Sequence, residues 1–544
     1  MFKNMKPLPK AIILGAIVAG LVYGAKVAMD SGKLRLPTTS PATYSSETKA
    51  TSSTPVAAAS GDSELTVSLV SFHGYAPALV ANGGALKTQA GSIFDKQGLK
   101  LNILIQDDVP TLSTLFESKQ AQCAWRTSDF WAQEQPNLRN AKLDGRVVMV
   151  VDNTQGADAI ITKDPSIQSV EDLAGKSVAL LQFTPSHGMT IDAIENSSLS
   201  GKKKASVKYV YINADEGTPG VRAAYESGKV DAAVLWDPDL SLALRSGGRA
   251  IYSTKSATNL IYDVMVCDTR VLNSSKGRAA VQKFVAGWME GVQVAKANPN
   301  AAVDALVKSE PLFDQLKKQE GTAFIKSLFN NIVWTGLDDN ARILGLVGGT
   351  NHYERVYKQF DGIYRAAGAL ANPNSPVINP SDSIDYTFIK DLLANDADAQ
   401  RSAAVERDNF TASGLAAAKK VAVTKPVYIN FDSGSSELSQ RAKKVIDTEM
   451  VPFIENNGSA YIELSGNADG VGSDLVNKPL SMRRAQAVAQ YLVKQWEVPA
   501  ARLKVVGNGS DRPICNEANP AADGLDLNAC RALNRTTRVG ILSK

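Results

Sequence analysis

G-N-A-D-G-V-G-S-D-L-V-N-K-P-L-S-M-R-R-A, residues 466–485, is a glycine-rich turn set between two regular elements. Before it, Tyr461-Ile462-Glu463-Leu464 puts Ile462 and Leu464 on one face, the alternation of a half-buried strand. After it, Ser481 is a good helix N-cap, and Ala485, Val488, Leu492 and Trp496 recur at helical spacing as one apolar face. The expected unit is strand, turn, helix, with Asp469 beside the start of a helix that carries Arg484. A fixed carboxylate and a fixed guanidinium near free N–H groups suit a zwitterion. The Asp takes an ammonium, while the Arg and the helix start take a carboxylate. The bland alternative is a solvated surface Asp and Arg. An EF-hand reading of Asn467-x-Asp469-Gly470 fails, because the alternate acidic ligands and the closing Glu are absent.

The same stretch resembles the OmpA-like peptidoglycan-binding family, whose pattern is T-D-x-x-G-S-x-x-x-N-x-x-L-S-x-x-R-A. Asp469, Gly472, Ser473, Asn477, Leu480, Ser481, Arg484 and Ala485 fall on it. The resemblance implies an α+β domain over residues 425–544 whose partner is peptidoglycan, through the diaminopimelate of a stem peptide. It also implies Asp469, Asn477 and Arg484 as binding residues. Ala468 stands where Thr is usual, which removes one hydroxyl contact. Val427-Tyr428-Ile429-Asn430-Phe431 resembles the family's first strand, and Asn534-Arg535 its N-R start. Later strands are expected at residues 503–509 and 537–542. Cys515 and Cys530 bracket a loop, and in an exported domain such a pair is expected to form a disulfide worth about 3 kcal/mol in the chain-entropy model. Free thiols are the alternative.

The whole chain of 544 residues predicts three or four domains, and 44% hydrophobic with 21% charged residues is ordinary for globular protein. A net charge of +4, with no basic cluster, gives no case for nucleic acid. Four Cys and three His argue against a structural zinc site, and no metal or cofactor is expected. Residues 1–10 form a basic flank, and residues 11–29 an apolar segment short for a bilayer, with Lys10 and Lys26 placed to snorkel. We read it as an uncleaved inner-membrane anchor, with a cleaved signal segment as the alternative. Residues 30–63, rich in Ser, Thr, Ala and Pro, read as a flexible tether averaging about 30 Å end to end.

From Leu65 the pattern becomes alternating strands and helices, the mark of a parallel-sheet α/β architecture. Strands are expected at residues 65–70, 99–105, 122–125 and 147–151. Three stretches carry a second resemblance: Gly156-Ala157-Asp158-Ala159-Ile160; Ser166-Ile167-x-Ser169-Val170-x-Asp172-Leu173-x-Gly175-Lys176; and Glu226-Ser227-Gly228-Lys229-Val230-Asp231-Ala232-Ala233-Val234-Leu235-Trp236-Asp237-Pro238. They resemble periplasmic solute-binding proteins of the nitrate/sulfonate/taurine class of ABC transporters. That implies a two-lobed α/β fold over residues 64–393, with lobe II at about 156–262, closing over a small solute at the hinge. Residues 394–424 read as a connecting helix. Cys123 and Cys267 sit within expected strands as small hydrophobes, left unpaired.

Ligands of open α/β sheets sit at the carboxyl ends of strands. The candidates there are Phe72, His73, Gly74 and Tyr75; Arg126, Thr127 and Ser128; Gln155 and Gly156; Thr184, Ser186 and His187; Trp236 and Asp237. Arg126 is the one cation in these turns, so an anionic solute is the expectation, and a neutral or aromatic solute follows if an acidic neighbour neutralises it. Catalysis is not expected. G-x-S-x-G, H-E-x-x-H and the P-loop pattern are absent, and Ser186-His187 are adjacent, so their side chains point apart. The reading is an envelope protein, anchored in the inner membrane and reaching peptidoglycan through the periplasm. It captures a solute for uptake or sensing, with an ABC permease or another inner-membrane protein as partner. A structural spacer or partner platform is the alternative. A flagellar stator subunit is disfavoured, because residues 11–25 lack an acidic residue.

Overall fold

The computed structural model describes residues 64–405, 410–432 and 434–543. The basic flank, the apolar segment and the tether expected in residues 1–63 lie outside the described residues. Among the described residues, no helix is long and apolar enough to cross a membrane.

The strands are, in chain order, β1 (Glu64–Leu69), β2 (Lys100–Ile105), β3 (Cys123–Thr127), β4 (Gly145–Thr154), β5 (Asp158–Thr162), β6 (Ser177–Leu181), β7 (Lys208–Ile212) and β8 (Ala232–Trp236). They continue as β9 (Arg249–Ser253), β10 (Tyr262–Asp268), β11 (Ile332–Trp334), β12 (Lys420–Val427), β13 (Tyr461–Asn467), β14 (Leu503–Gly509) and β15 (Thr537–Ser543). Five helices matter below: α1 (Ser128–Asn140), α2 (Pro185–Glu195), α3 (Ser275–Ala297), α4 (His352–Ala366) and α5 (Asp474–Gln495).

Lobe I is a six-stranded sheet in the order β11-β4-β10-β3-β1-β2, and lobe II a five-stranded sheet in the order β7-β6-β8-β5-β9. The chain passes between the sheets twice, through residues 155–157 and again between β9 and β10. Val147–Val151 and Val264–Val266 are buried continuously, as central strands covered on both faces must be. On α3, Phe284, Trp288, Val292 and Ala295 repeat every three to four residues and are buried, each large side chain contributing about 1.5–3 kcal/mol. One face of the lobe II sheet has a separate core, built from Ile161, Ala179, Ala233 and Leu235 under Val221 and Tyr225, while the other face, with Ile160, Val178 and Val234, joins the main core.

Cys123 and Cys267, read as unpaired hydrophobes, are bonded to one another. They face each other in the antiparallel register of β3 and β10, with Cα atoms 4.0 Å apart, although 144 residues separate them in sequence. Cys515 and Cys530 form the second disulfide.

The third sheet, in the order β12-β15-β13-β14, belongs to the C-terminal domain, with α5 packed on β13 and β14. Gly466 and Gly507 are register partners beneath that helix. A Cβ on Gly466 would sit 2.0 Å from the Ser481 carbonyl oxygen, and one on Gly507 would sit 2.6 Å from the Met482 nitrogen. Only glycine permits so close a helix–sheet contact.

Three local expectations need correction. The first strand of this domain is β12, which begins at Lys420 and ends at Val427 rather than opening there. In place of one connecting helix stand two short ones, Ala397–Ala403 and Ala412–Ala417. The helix after the glycine turn starts at Asp474, N-capped in position by Ser473; Ser481 is buried inside it, donating to the Lys478 carbonyl and accepting from the Gly509 N–H.

The C-terminal domain packs against the lobes through residues 455–459. Asn259 donates to the Glu455 carbonyl at 2.9 Å, and Tyr252 donates to Asn457 at 3.1 Å. Arg355 on α4 reaches the Asn456 side chain, ion-pairs with Glu455 at 3.4 Å and donates to the Asn259 carbonyl at 2.9 Å.

Candidate functional site: a cleft between two lobes and a glycine turn

Three strand-end turns from different parts of the chain meet at one place. Phe72 and Tyr75 follow β1, Thr127 ends β3, and Pro185 opens α2 of lobe II. All four line an inner pocket, together with Trp236 at the end of β8. Its accessible volume is about 30 Å³, room for one or two waters. Val70, Trp125 and Trp236 are shared with a wider cleft of about 880 Å³, so the pocket is the floor of the cleft. Thr184 lines the wider cleft, its hydroxyl held by the Leu181 carbonyl at 2.8 Å.

The floor is acidic. Asp158 of β5 and Asp263 of β10 line it. Asp152 of β4 is the register partner of Asp263 and is fully buried, its carboxyl hydrogen-bonded to that of Asp263. Gly74 makes room for it, since a Cβ there would lie 2.0 Å from the Asp152 carboxylate. Burial, then repulsion between the two carboxylates, pushes Asp152 well above the ordinary range, and burial pushes Asp263 upward too. Asp158 rises for the same reasons, with Asp263 as its strongest charged neighbour. Trp125 donates its indole N–H to Asp263 at 2.7 Å. Asp237 is buried nearby with a pKa of about 6, although Ser241 N–H and Asn331 donate to it at 2.9 and 2.7 Å.

Arg126, the expected solute cation, does not face the cleft. It is 1% exposed, sandwiched between the rings of Phe116 and Phe130, and ion-paired with Glu134 of α1. Its second nitrogen donates to Glu134 at 2.8 Å. A guanidinium on an inward strand position needs a buried counter-charge, and α1 supplies one eight residues on.

Most of the other candidates have local structural partners, although the buried Ser186 hydroxyl has no hydrogen-bond partner among the described residues. His73 is buried against Phe72, and burial pushes its pKa down to about 3. Ser128 accepts from the Tyr262 N–H at 3.4 Å, and the Gly156 N–H donates to Thr254 at 2.9 Å. The Gln155 N–H donates to the Asn331 carbonyl at 2.7 Å. Ser186 is buried on α2 outside the lining. His187 accepts from the Phe183 N–H at 3.2 Å and packs against Tyr209 and Tyr211, with burial pushing its pKa down to about 4. Sequence reasoning missed Trp125, Thr154, Asp158 and Asp263. For Thr154 and Asp158 the available signal was their place beside the Gln155-Gly156 turn, whereas Trp125 lies in the middle of β3 and no singled-out turn adjoined Asp263.

In the C-terminal domain, Asp469 is held by Arg535 and accepts from the Val471 N–H at 3.3 Å. Arg484 lies further along α5 and is engaged elsewhere. It donates to the carbonyls of Ser435 at 3.0 Å and Asp432 at 3.2 Å, and stacks over Phe431. The cation paired with Asp469 in this structure is Arg535 rather than Arg484. Its side chain is half exposed while that of Asp469 is 9% exposed. Asn477 donates to the Val471 carbonyl at 3.0 Å and so fixes the glycine turn. Glu517 braces the turn from outside, accepting from the Gly470 N–H at 2.9 Å and from Arg531 at 3.1 Å.

Residues 86–302 match the NMT1/THI5-like family model, and residues 430–524 match the OmpA family model. The chain joins an NMT1/THI5-like domain to a C-terminal OmpA-family domain. The NMT1/THI5-like part is similar to a putative aliphatic sulfonates-binding protein of Escherichia coli, 26% identical over 28% of this chain and 44% of that protein. The OmpA part is similar to a peptidoglycan-associated lipoprotein of Pseudomonas putida, 37% identical over 15% of this chain and 49% of that protein. The chain thus spans less than half the length of these curated relatives. The crystal structure of the periplasmic aliphatic sulphonate binding protein SsuA from Escherichia coli aligns with a TM-score of 0.45 and 16% identity, over 59% of this chain and 97% of that one.

Proposed function

We propose that this chain is an envelope solute-binding protein that holds the cell wall through its OmpA domain and captures a small molecule between its two lobes. The observation that carries the reading is the convergence of turns after β1 and β3, the start of α2 and the end of β8 on one aromatic-walled cleft. Apolar walls with a few convergent polar groups fix and orient a ligand. At the wall site, Asp469 offers a carboxylate to the ammonium of a diaminopimelate stem peptide, and Arg535, half exposed, offers a cation to its carboxylate. Hand-over of the captured solute to an ABC permease or a sensor in the inner membrane, with residues 11–29 as the anchor, completes the proposal.

Two measurements on the purified full chain test it. Co-sedimentation with purified peptidoglycan should be lost in Asp469→Ala and in Arg535→Ala, and be reduced less in Arg484→Ala, which touches the domain's own carbonyls. Binding retained by both of the first two variants would reject the wall site. A thermal-shift screen across cationic, anionic and neutral small molecules should yield at least one stabilising solute. A screen with none would leave the lobes as a spacer or partner platform.

A further inference from the structure

We propose that the solute captured by this cleft is an organic cation carrying N–H donors, a protonated amine or amidine, rather than a sulfonate or another anion. This rests on the solute-binding reading above and names the ligand class of that site. The inner pocket has two carboxylates in its lining, Asp158 and Asp263, and, among the described residues, no Lys or Arg. Behind Asp263 lies its register partner Asp152, buried, with its carboxyl hydrogen-bonded to that of Asp263, so that the pair adds to the acidity of the floor. Tyr75 gives an independent sign of a missing polar partner. It is fully buried in the pocket wall, and its hydroxyl has no hydrogen-bond partner among the described residues. Buried polar groups are otherwise paired, so a hydroxyl left open on a cavity wall marks where a ligand's donor belongs.

The wider cleft repeats the sign of charge. Asp107, Asp108, Asp215, Glu216 and Asp239 line it, against Arg222. Arg222 is tied to Asp239 at 2.7 Å and to Glu226 at 3.6 Å. Arg126 is spent on Glu134. An anion entering this cleft would meet carboxylates all along the path, whereas a cation would be drawn in. Among the described residues, no group of three or more His, Cys, Asp or Glu is placed to hold a metal ion. The aromatic side chains Phe72, Trp125 and Trp236 beside the carboxylates suit an ammonium bearing an apolar body. At about 30 Å³ the floor takes the charged head alone, and the body extends past Trp125 and Trp236 into the 880 Å³ cleft.

The test uses the full chain and calorimetric titration with defined probes: butylamine and benzamidine as N–H cations, tetramethylammonium as a cation without N–H, ethanesulfonate and nitrate as anions, and cytosine as a neutral ring. Butylamine or benzamidine should bind, tetramethylammonium at least tenfold more weakly, and the anions not at all. Asp263→Asn, which keeps an acceptor for the Trp125 indole, should weaken the N–H cations at least tenfold, and so should Asp158→Asn. Binding of ethanesulfonate, nitrate or cytosine without binding of either N–H cation would overturn the cation class while leaving a solute-binding protein. Binding of none of the six probes by folded wild-type protein would overturn both. Should the Asp variants fail to fold, the wild-type selectivity series decides alone.

Discussion

Asp129, second residue of α1, offers a clean measure of what a buried carboxyl beside the cleft costs this fold. Its carboxyl is fully buried, with only the Tyr364 hydroxyl near it at 3.4 Å from outside its own turn, and burial lifts its pKa from 3.8 to about 6. A carboxyl whose folded pKa is raised stabilises the fold below its unfolded value, and that stability is lost as pH rises through the folded value. The window here runs from about pH 4 to pH 6. Each tenfold change in proton affinity is worth about 1.4 kcal/mol, so the loss amounts to roughly 3 kcal/mol. Asp129→Asn replaces the titrating group by a neutral one of the same shape. The variant should match wild type near pH 4 and exceed it by roughly 3 kcal/mol above pH 7. The Asp129 charge is one of the causes that raise Asp158 and Asp263, so the neutral Asn also relieves those two carboxyls and adds to the gain at high pH. Urea melts followed by tryptophan fluorescence from pH 4 to 8 give the difference curve. A difference that stays flat across that range would refute the claim that burial raises this pKa.

Two further outcomes follow from side chains the structure places away from any ligand. Arg126→Met leaves Glu134 buried without its counter-charge and should cost about 3–5 kcal/mol of stability in a denaturant melt, whereas a solute-contacting Arg would show its loss in binding instead. Arg355→Ala removes an ion pair and hydrogen bonds that tie α4 to residues 455–456 and to Asn259. Limited proteolysis should then cut more readily between the lobes and the OmpA domain, and an unchanged cleavage rate would show that the apolar contacts suffice.

The strand ends were legible because hydrophobic runs such as Leu65–Leu69 stop at polar turns, and a parallel α/β sheet puts its site there. What those turns do in detail was not. Arg126 read as a free cation because its partner Glu134 lies on the next helix, where nothing in a sequence says which face it shows. Cys123 and Cys267 find each other only through the register of β3 and β10, which depends on the chain's excursion through the whole of lobe II. β12 escaped the period-two pattern because a register shift between Val421 and Val423 interrupts its pairing with β15. The helix expected to open at Ser481 begins seven residues earlier, so Pro479 does not precede it. Instead it sits inside the second turn of α5. Its missing N–H leaves the carbonyl of Leu475 without its helical bond, and Leu475 is 89% exposed, so water can reach it.

The two proposed ligand sites lie on separate surfaces. The OmpA domain grips the lobes at Glu171, Asn196 and Lys203 of lobe II, at Tyr252 of β9, at Thr258 and Asn259 on the crossover between β9 and β10, and at Arg355 and Gln359 on α4. None of these residues lines the cleft, whose walls are the turns after β1, β2 and β3 and those after β6, β7 and β8. The docked domain therefore leaves the cleft walls uncovered. The grip does bear on closure, because α4 already spans both lobes: Tyr364 donates to the Thr184 carbonyl at 2.9 Å, and Gln359 to Asp192 at 2.6 Å. Opening the cleft by a hinge at residues 155–157 and 254–261 would have to move Asn259 relative to Arg355, and both are fastened to residues 455–456. Docking of the wall domain thus favours the lobe arrangement seen here over a wider one. A solute that needs the lobes apart to enter would bind faster once that grip is released.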